Sequence, residues 1–331
     1  MKKLIPFLLT AVLMICSLAG FSFAAEQNSD DDHQIQIIAT IFPEYDWVMN
    51  VLGENPANAE VTFLLSNGVD IHSYQPTVDD ILKISTCDLF IYAGGESDAW
   101  VEDALRESVN PDRITIDLLE TLGDAAKEEE LVEGMQAEEH EDGEEHEHEE
   151  EGVEYDEHVW LSLRNASTLV GAISDALQVI DPENAEIYAA NAQAYETELA
   201  ALDEAYAAAV DAAAGDTLLF GDRFPFRYLT DDYGLNYYAA FVGCSAETEA
   251  SFETITFLID KVNELELPVI LTIEGSDQKI AETIMQNTAA KDQKILTMDS
   301  MQSTTAQDIQ DGKTYLSIME DNLTVLKEAL E

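Results

Sequence analysis

Leu89-Phe90-Ile91-Tyr92-Ala93 is an unbroken apolar run, and what surrounds it decides the fold. Ile35-Gln36-Ile37-Ile38-Ala39 and Val61-Thr62-Phe63-Leu64-Leu65 read as strands in the same way. Glu44 to Leu52 and Thr77 to Ser85, which separate these runs, read as helices. Short β-rich runs alternating with helical stretches from Ile35 to Ile116 predict a parallel sheet covered by helices.

The alternation returns after Gly215. Thr217 to Gly221, Tyr237 to Val242, Val269 to Ile273 and Lys294 to Met298 read as strands. Helical patterns fall between Thr248 and Glu266, between Asp277 and Ala289, and from Lys313 onward. Between the two sets, Asn165 to Ile180 is helical and breaks at Asp181-Pro182. Asp181 suits the cap of a following helix and Pro182 its first turn. That helix is predicted over 182–214, with Ile187, Tyr195, Leu199, Leu202, Tyr206 and Val210 as its packing stripe. At about 1.5 Å per residue it spans on the order of 45 Å, long enough to run beside two domains. The expected fold is α/β: two Rossmann-like parallel-sheet lobes, 34–181 and 215–331, joined by the long linking helix 182–214. A ligand is expected in the cleft between lobes, at the carboxyl ends of strands.

The chain has 331 residues and is 46% apolar, an ordinary globular share despite 68 Asp+Glu against 15 Lys+Arg and a net charge of -53. A surface this acidic repels phosphate backbones and anionic membranes, which argues against nucleic acid and favours cations. Lys2 and Lys3 precede an apolar run from Leu4 to about Gly20, and Ser22-Phe23-Ala24 supplies small residues for cleavage. Residues 1–24 therefore read as a secretory signal peptide, which places the protein in the periplasm or cell envelope. Cys16 lies in the apolar run, but Ile15 stands where a lipoprotein signal has a small residue, which disfavours a lipid anchor. No later segment approaches the ~18 uninterrupted apolar residues of a membrane span. Cys87 and Cys244 remain after cleavage, as one disulfide or as two small buried residues; a metal role for Cys244 finds no second thiol nearby.

Residues 128–157 break the pattern, with 17 acids among 30 residues, no Lys or Arg, and His140, His146 and His148 interspersed. Such a segment cannot pack a core and reads as a solvated loop, a tether or a set of exposed accessory metal sites. His72, in Asn67-Gly68-Val69-Asp70-Ile71-His72-Ser73-Tyr74-Gln75-Pro76, follows a strand. His158, in Tyr155-Asp156-Glu157-His158-Val159-Trp160, lies where the acidic loop re-enters the fold. Asp222, Glu274 and Asp299 each follow a strand of the second half. Two imidazoles with one or two carboxylates from separate halves suit a divalent transition metal. Other chemistries fail: Gly312-Lys313-Thr314 ends like a P-loop, but Gln307 occupies the required first glycine. Nor are two histidines spaced four apart around a glutamate, and Ser73 lacks a nucleophile elbow.

These motifs resemble the zinc/manganese-type solute-binding proteins of bacterial ABC metal transporters, and the likeness covers nearly the whole chain after residue 24. Gly68-Val69-Asp70-Ile71-His72-Ser73-Tyr74-Gln75-Pro76 looks like that family's first ligand motif, with Ile71 for a usual proline, and Asp156-Glu157-His158-Val159-Trp160-Leu161 like its second. The His- and acid-rich loop between them is similar too. So are Asp181-Pro182-Glu183-Asn184, Met298-Asp299-Ser300-Met301, Thr314-Tyr315-Leu316 and Asn322-Leu323. The resemblance implies an extracytoplasmic, non-enzymatic, high-affinity receptor that delivers Zn²⁺, or alternatively Mn²⁺ or iron, to the membrane permease of an ABC transporter, and a monomer is expected. It implies His72, His158, Asp222 and Asp299 as ligands. One departure stands out: the family's third ligand lies five residues before a Tyr, here Tyr228, and that position holds Arg223, which has no lone pair to offer. Asp222 taking over, Glu274 moving in, or a water completing the shell are the alternatives, with Arg223 pairing with a neighbouring acid. Readings from other classes are a metal-dependent hydrolase, with Glu274 as base beside a bound water, and a metal-binding surface adhesin.

Overall fold

The computed structural model describes residues 34–106, 109–136, 154–245 and 249–331. The leader read at 1–24, with Cys16, and the loop histidines His140, His146 and His148 lie outside them. Strands β1 (Gln36–Ala39), β2 (Glu60–Phe63), β3 (Leu89–Tyr92) and β4 (Ile114–Asp117) form a parallel sheet in the order β2-β1-β3-β4. The helices α1 (Phe42–Leu52), α2 (Val78–Thr86), α3 (Val101–Arg106) and α4 (Leu118–Leu122) connect and follow them. Two longer helices, α5 (Leu163–Ile180) and α6 (Ala185–Ala212), lead to the second half. There β5 (Thr217–Phe224), α7 (Arg227–Tyr233), β6 (Asn236–Val242), α8 (Phe252–Leu265), β7 (Val269–Ile273), α9 (Lys279–Asn287), β8 (Lys294–Met298), α10 (Ala306–Gln310) and α11 (Tyr315–Ala329) complete the chain. The second sheet has the order β6-β5-β7-β8, again all parallel. The same plan is thus used twice, and in each copy the strand order reverses beside its first strand, leaving a crevice at the carboxyl ends.

One apolar core runs through both halves. It contains Trp47 of α1, Trp160, Tyr188, Tyr195 and Tyr206 of α6, Phe220 and Phe224 of β5, and Tyr315 of α11. Trp47 and Tyr315 meet edge to face at 5.3 Å. The indole N–H of Trp160 donates to the Ser300 carbonyl at 2.9 Å, and the Tyr315 hydroxyl donates to the Trp160 carbonyl at 2.7 Å. Buried rings whose polar atoms are bonded across the halves hold the two sheets as one body.

Loops meet across the same boundary. Asn67 pairs with Thr305 in an isolated bridge, and the Ala306 N–H donates to the Ser66 carbonyl at 2.8 Å. Gly68, at φ 78°, makes this approach feasible: a Cβ there would sit 3.0 Å from the Ser303 carbonyl oxygen.

Several sequence-based expectations change in detail. The linking helix begins at Ala185, not 182, and Asp181 does not cap its backbone; its carboxylate instead accepts from the Asn184 amide and the Tyr188 hydroxyl. The packing stripe runs through Tyr188, Ala192, Tyr195, Leu199, Leu202 and Tyr206, while Ile187 is exposed. The steps of four and three from Tyr188 keep one face inward, and Ile187 falls off it. Residues 128–136 and 154–157 are ordered rather than part of a solvated loop. Glu128 bridges to Tyr155, Gln136 pairs with Phe241 of β6, and the Gln136 N–H donates to the Ala240 carbonyl at 3.0 Å.

Two outcomes follow from this packing. Trp160→Ala should lower unfolding free energy by about 3–5 kcal/mol while leaving a single transition; urea unfolding followed by both far-UV and tryptophan signals checks it, and two separated transitions would contradict a shared core. Replacing 137–153 by a short Gly-Ser linker should leave the unfolding free energy from the same urea titration within the range of surface changes, about 0.5 kcal/mol, since Glu128 and Tyr155 pair near the two ends of that segment.

Candidate metal centre

The turn after β2 carries His72. Asp70 caps the short helical turn Ile71–Ser73 by accepting from the His72 N–H at 3.1 Å, and Thr77 with Asp80 forms a reciprocal cap at the start of α2. Between these two anchors the imidazole projects to the carboxyl end of the first sheet. His72 Nδ1 lies 2.7 Å from Ser97 Oγ, on the loop after β3, and 3.6 Å from a Glu157 carboxylate oxygen.

His158 is fully buried. Its Nδ1 and its backbone N–H both reach Asp156 Oδ1, each at 2.9 Å. A carboxylate there only accepts, so the ring proton is assigned to Nδ1 and the lone pair to Nε2. That Nε2 lies 3.2 Å from Nε2 of His72. With the lone pair of His158 at Nε2, the matching assignment puts the His72 proton on Nε2 and has the Ser97 hydroxyl donate to His72 Nδ1. Moving the His72 proton to Nδ1, where Ser97 Oγ can accept it, turns two lone pairs toward one point. Two nitrogens bound to one tetrahedral Zn²⁺ at about 2.05 Å stand ~3.3 Å apart, which is close to the spacing found.

Cys244 completes the group. Among the described residues, His72, His158 and Cys244 are the set of possible ligands whose donor atoms all lie within 4.8 Å of one another. Gly243 lets this turn approach: a Cβ there would stand 2.8 Å from His158 Cε1. A crevice of about 760 Å³ opens onto the group, lined in part by His72, Ser97, Glu129, Glu157 and Cys244.

The electrostatics oppose protonation on one ring and favour it on the other. Burial, followed by the neighbouring His158, holds His72 down to about 3. Burial also works against a charged His158, but Asp156 and then Glu157 outweigh it and raise that group above the ordinary histidine value. Burial pushes the Cys244 thiol well above its usual value, with Asp156 and Glu157 adding to the effect. Beneath the rings lie more buried acids. Burial and then Asp98 raise Glu44 to about 8, and burial, with Glu157 adding to it, raises Asp98 to about 7.

The carboxylates expected from the second half do not join this group. Asp222 lies inside β5, not after it, at a register shift between Phe220 and Arg223. Its oxygens accept from the Arg223 N–H at 2.9 Å and the Ile273 N–H at 3.4 Å. Glu274 accepts from the Ser300 N–H, the Ser300 hydroxyl and the Gln302 N–H. Asp299 accepts from the Met301 N–H at 2.8 Å and faces Lys313 at 3.6 Å. Each acid is thus engaged by nearby donors, Asp222 at the irregularity within β5, and Glu274 and Asp299 by groups of the turn after β8. Asp222 and Glu274 line a separate crevice of about 490 Å³ with Asp70 and Arg223. Arg223 sends its guanidinium to Asp70 at 2.7 Å, the residue that caps the His72 turn. The sequence offers no second thiol to support a metal role for Cys244, whereas in the fold two imidazoles stand in that place. Ser97 carried no signal beyond its position just after a strand.

The model of the family described as periplasmic zinc-uptake complex component A, ZnuA, matches residues 37–329. The zinc-binding lipoprotein AdcA of Streptococcus pneumoniae (serotype 4) is 31% identical over 324 residues, covering 96% of this chain. The chain spans 60% of that relative's length. The high-affinity zinc uptake system protein ZnuA of Bacillus subtilis is 29% identical over 325 residues, covering 98% of this chain and 96% of that protein. Among solved structures, the Zn(II)-bound ZnuA-like domain of Streptococcus pneumoniae AdcA has a TM-score of 0.69 at 29% identity, covering 90% of this chain and 99% of that domain.

The buried acids fix a pH dependence of stability. Glu44 and Asp98 hold protons in the folded chain at pH values where the unfolded chain has lost them. Their contribution is full below the unfolded carboxyl range of about pH 4 and is lost as pH rises through about 7 to 8. The urea midpoint should therefore fall from pH 5 to pH 8, and Glu44→Gln should flatten the fall; a midpoint that rises over this interval would contradict the assignment.

Proposed function

The chain belongs to the ZnuA family of periplasmic zinc-uptake components, and from that premise we propose that it is an extracytoplasmic receptor which binds Zn²⁺ and delivers it to the membrane permease of an ABC importer. The observation that carries this reading is the imidazole pair: two buried rings, each steadied at Nδ1, with Nε2 atoms 3.2 Å apart. A pair so arranged is a preformed half of a tetrahedral site, because ring orientation is fixed before the ion arrives. His72 and His158 are the ligands of this reading, and the receptor acts as a monomer after export on residues 1–24.

Release follows from the packing. With one core through both halves, wide hinge opening would break buried aromatic contacts and the bonds of Trp160 and Tyr315. Displacement of the turns that carry His72 and Ser97 costs less, since they are tied to the rest by polar contacts, among them the Arg223–Asp70 pair and the Asn67–Thr305 bridge, and not by the shared aromatic core. The permease is therefore read as acting on these turns. The acids of the surface raise the local concentration of cations, while the choice among them is left to the ligands. Turnover of a substrate is not part of this reading: Glu274, the base a hydrolase would need, is held by donors from Ser300 and Gln302 in a crevice separate from the one lined by His72.

Calorimetric or competition titration with Zn²⁺ tests the reading. His72→Ala and His158→Ala should each abolish tight binding, and Asp156→Asn, which keeps the ring but weakens its anchor, should lower affinity about 10–100-fold. Undiminished affinity in both alanine variants would refute it.

A further inference from the structure

We propose that the Cys244 thiolate is the second half's ligand to the ion, making the site His₂Cys rather than the nitrogen and carboxylate set read from the sequence. This inference rests on the receptor reading and identifies the chemistry of the same site. His158, wholly buried, and His72 direct their Nε2 atoms at one point, and the Sγ of Cys244 belongs to the same group of donors within 4.8 Å. The other candidates of the second half are used elsewhere: Asp222 by the N–H groups of Arg223 and Ile273, Glu274 by Ser300 and Gln302, Asp299 by Met301 and Lys313. Arg223 cannot bind a cation and turns to Asp70.

Tetrahedral Zn²⁺ with about 2.05 Å to nitrogen and about 2.3 Å to sulfur would place Sγ ~3.6 Å from each Nε2, which donors within 4.8 Å of one another reach by a small closing shift of the Cys244 turn. On binding, the S–H bond gives its proton to buffer as the metal–sulfur bond forms, with no oxidant or reductant required. A thiolate is a soft donor, so the site favours zinc over manganese, which prefers oxygen. Among the described residues Cys87 and Cys244 are both free, so neither ties up the other in a disulfide.

Cobalt(II) substitution tests this without a mutation. The parent protein loaded with Co²⁺ should show an intense near-ultraviolet thiolate-to-cobalt charge-transfer band together with tetrahedral visible bands. Cys244→Ser should lose the charge-transfer band and bind Zn²⁺ at least about 100-fold more weakly, a loss at or beyond that of an outer-shell change. Its metal-free circular dichroism and unfolding midpoint should match the parent. A parent that binds Co²⁺ and Zn²⁺ tightly without the band, or a serine variant of unchanged affinity, overturns the cysteine ligand and leaves the receptor reading standing. A parent that binds neither ion overturns both.

Discussion

Trp160 is the residue on which the rest of the structure leans. Its ring is buried in the core shared by both halves, its N–H is bonded to Ser300, and its carbonyl receives the Tyr315 hydroxyl. Two residues earlier in the chain stands His158, whose ring meets the indole edge to face at 5.3 Å. Ser300 in turn holds Glu274. The seam between the halves and the chemistry of the crevice are therefore one construction, and neither could be altered without the other. A loop-borne histidine would be free to swing; this one is fixed by the burial of its neighbour, which is how a coordination geometry is kept when no ion is present to impose it.

Much of the architecture could be read from the sequence because buried parallel strands are written as short apolar runs and covering helices as spaced ones. Leu89 to Tyr92 and Val269 to Ile273 are examples in which composition and burial agree. Ile114 to Asp117 was not singled out as a strand, since an edge strand of four residues with Thr115 exposed leaves too little signal. The buried stripe of the helix starts one residue later than hydrophobicity suggests, because Ile187 outranks Tyr188 on apolarity, whereas a tyrosine is buried when its hydroxyl finds an acceptor such as Asp181. At the site, His72 and His158 could be located because each lies in a short polar turn next to a structured segment. The acids were harder: in a chain with 68 of them, lying after a strand does not separate a ligand from a turn-shaping side chain. Three-dimensional bonding alone made that distinction.

Arg223 shows how a substitution at one position is absorbed elsewhere. Its guanidinium stands near enough to oppose protonation of both imidazoles, and it pairs with Asp70 at 2.7 Å, holding that carboxylate in its charged form against the effect of burial. The same Asp70 fixes the backbone of the His72 turn. An apparent loss of a donor is thereby converted into a cross-half tie that steadies one of the remaining rings.

The long helix α6 has a consequence for how the state of such a protein can be sensed. A rod of 28 residues, with Tyr188, Tyr195 and Tyr206 sunk in a core common to both sheets, resists any change of overall dimensions as an ion comes and goes. Size and outline therefore carry little information about occupancy. Whatever distinguishes a loaded molecule from an empty one must be read at the rim of the crevice, in the local shape and charge of a few turns, so that recognition here is a matter of texture rather than of posture.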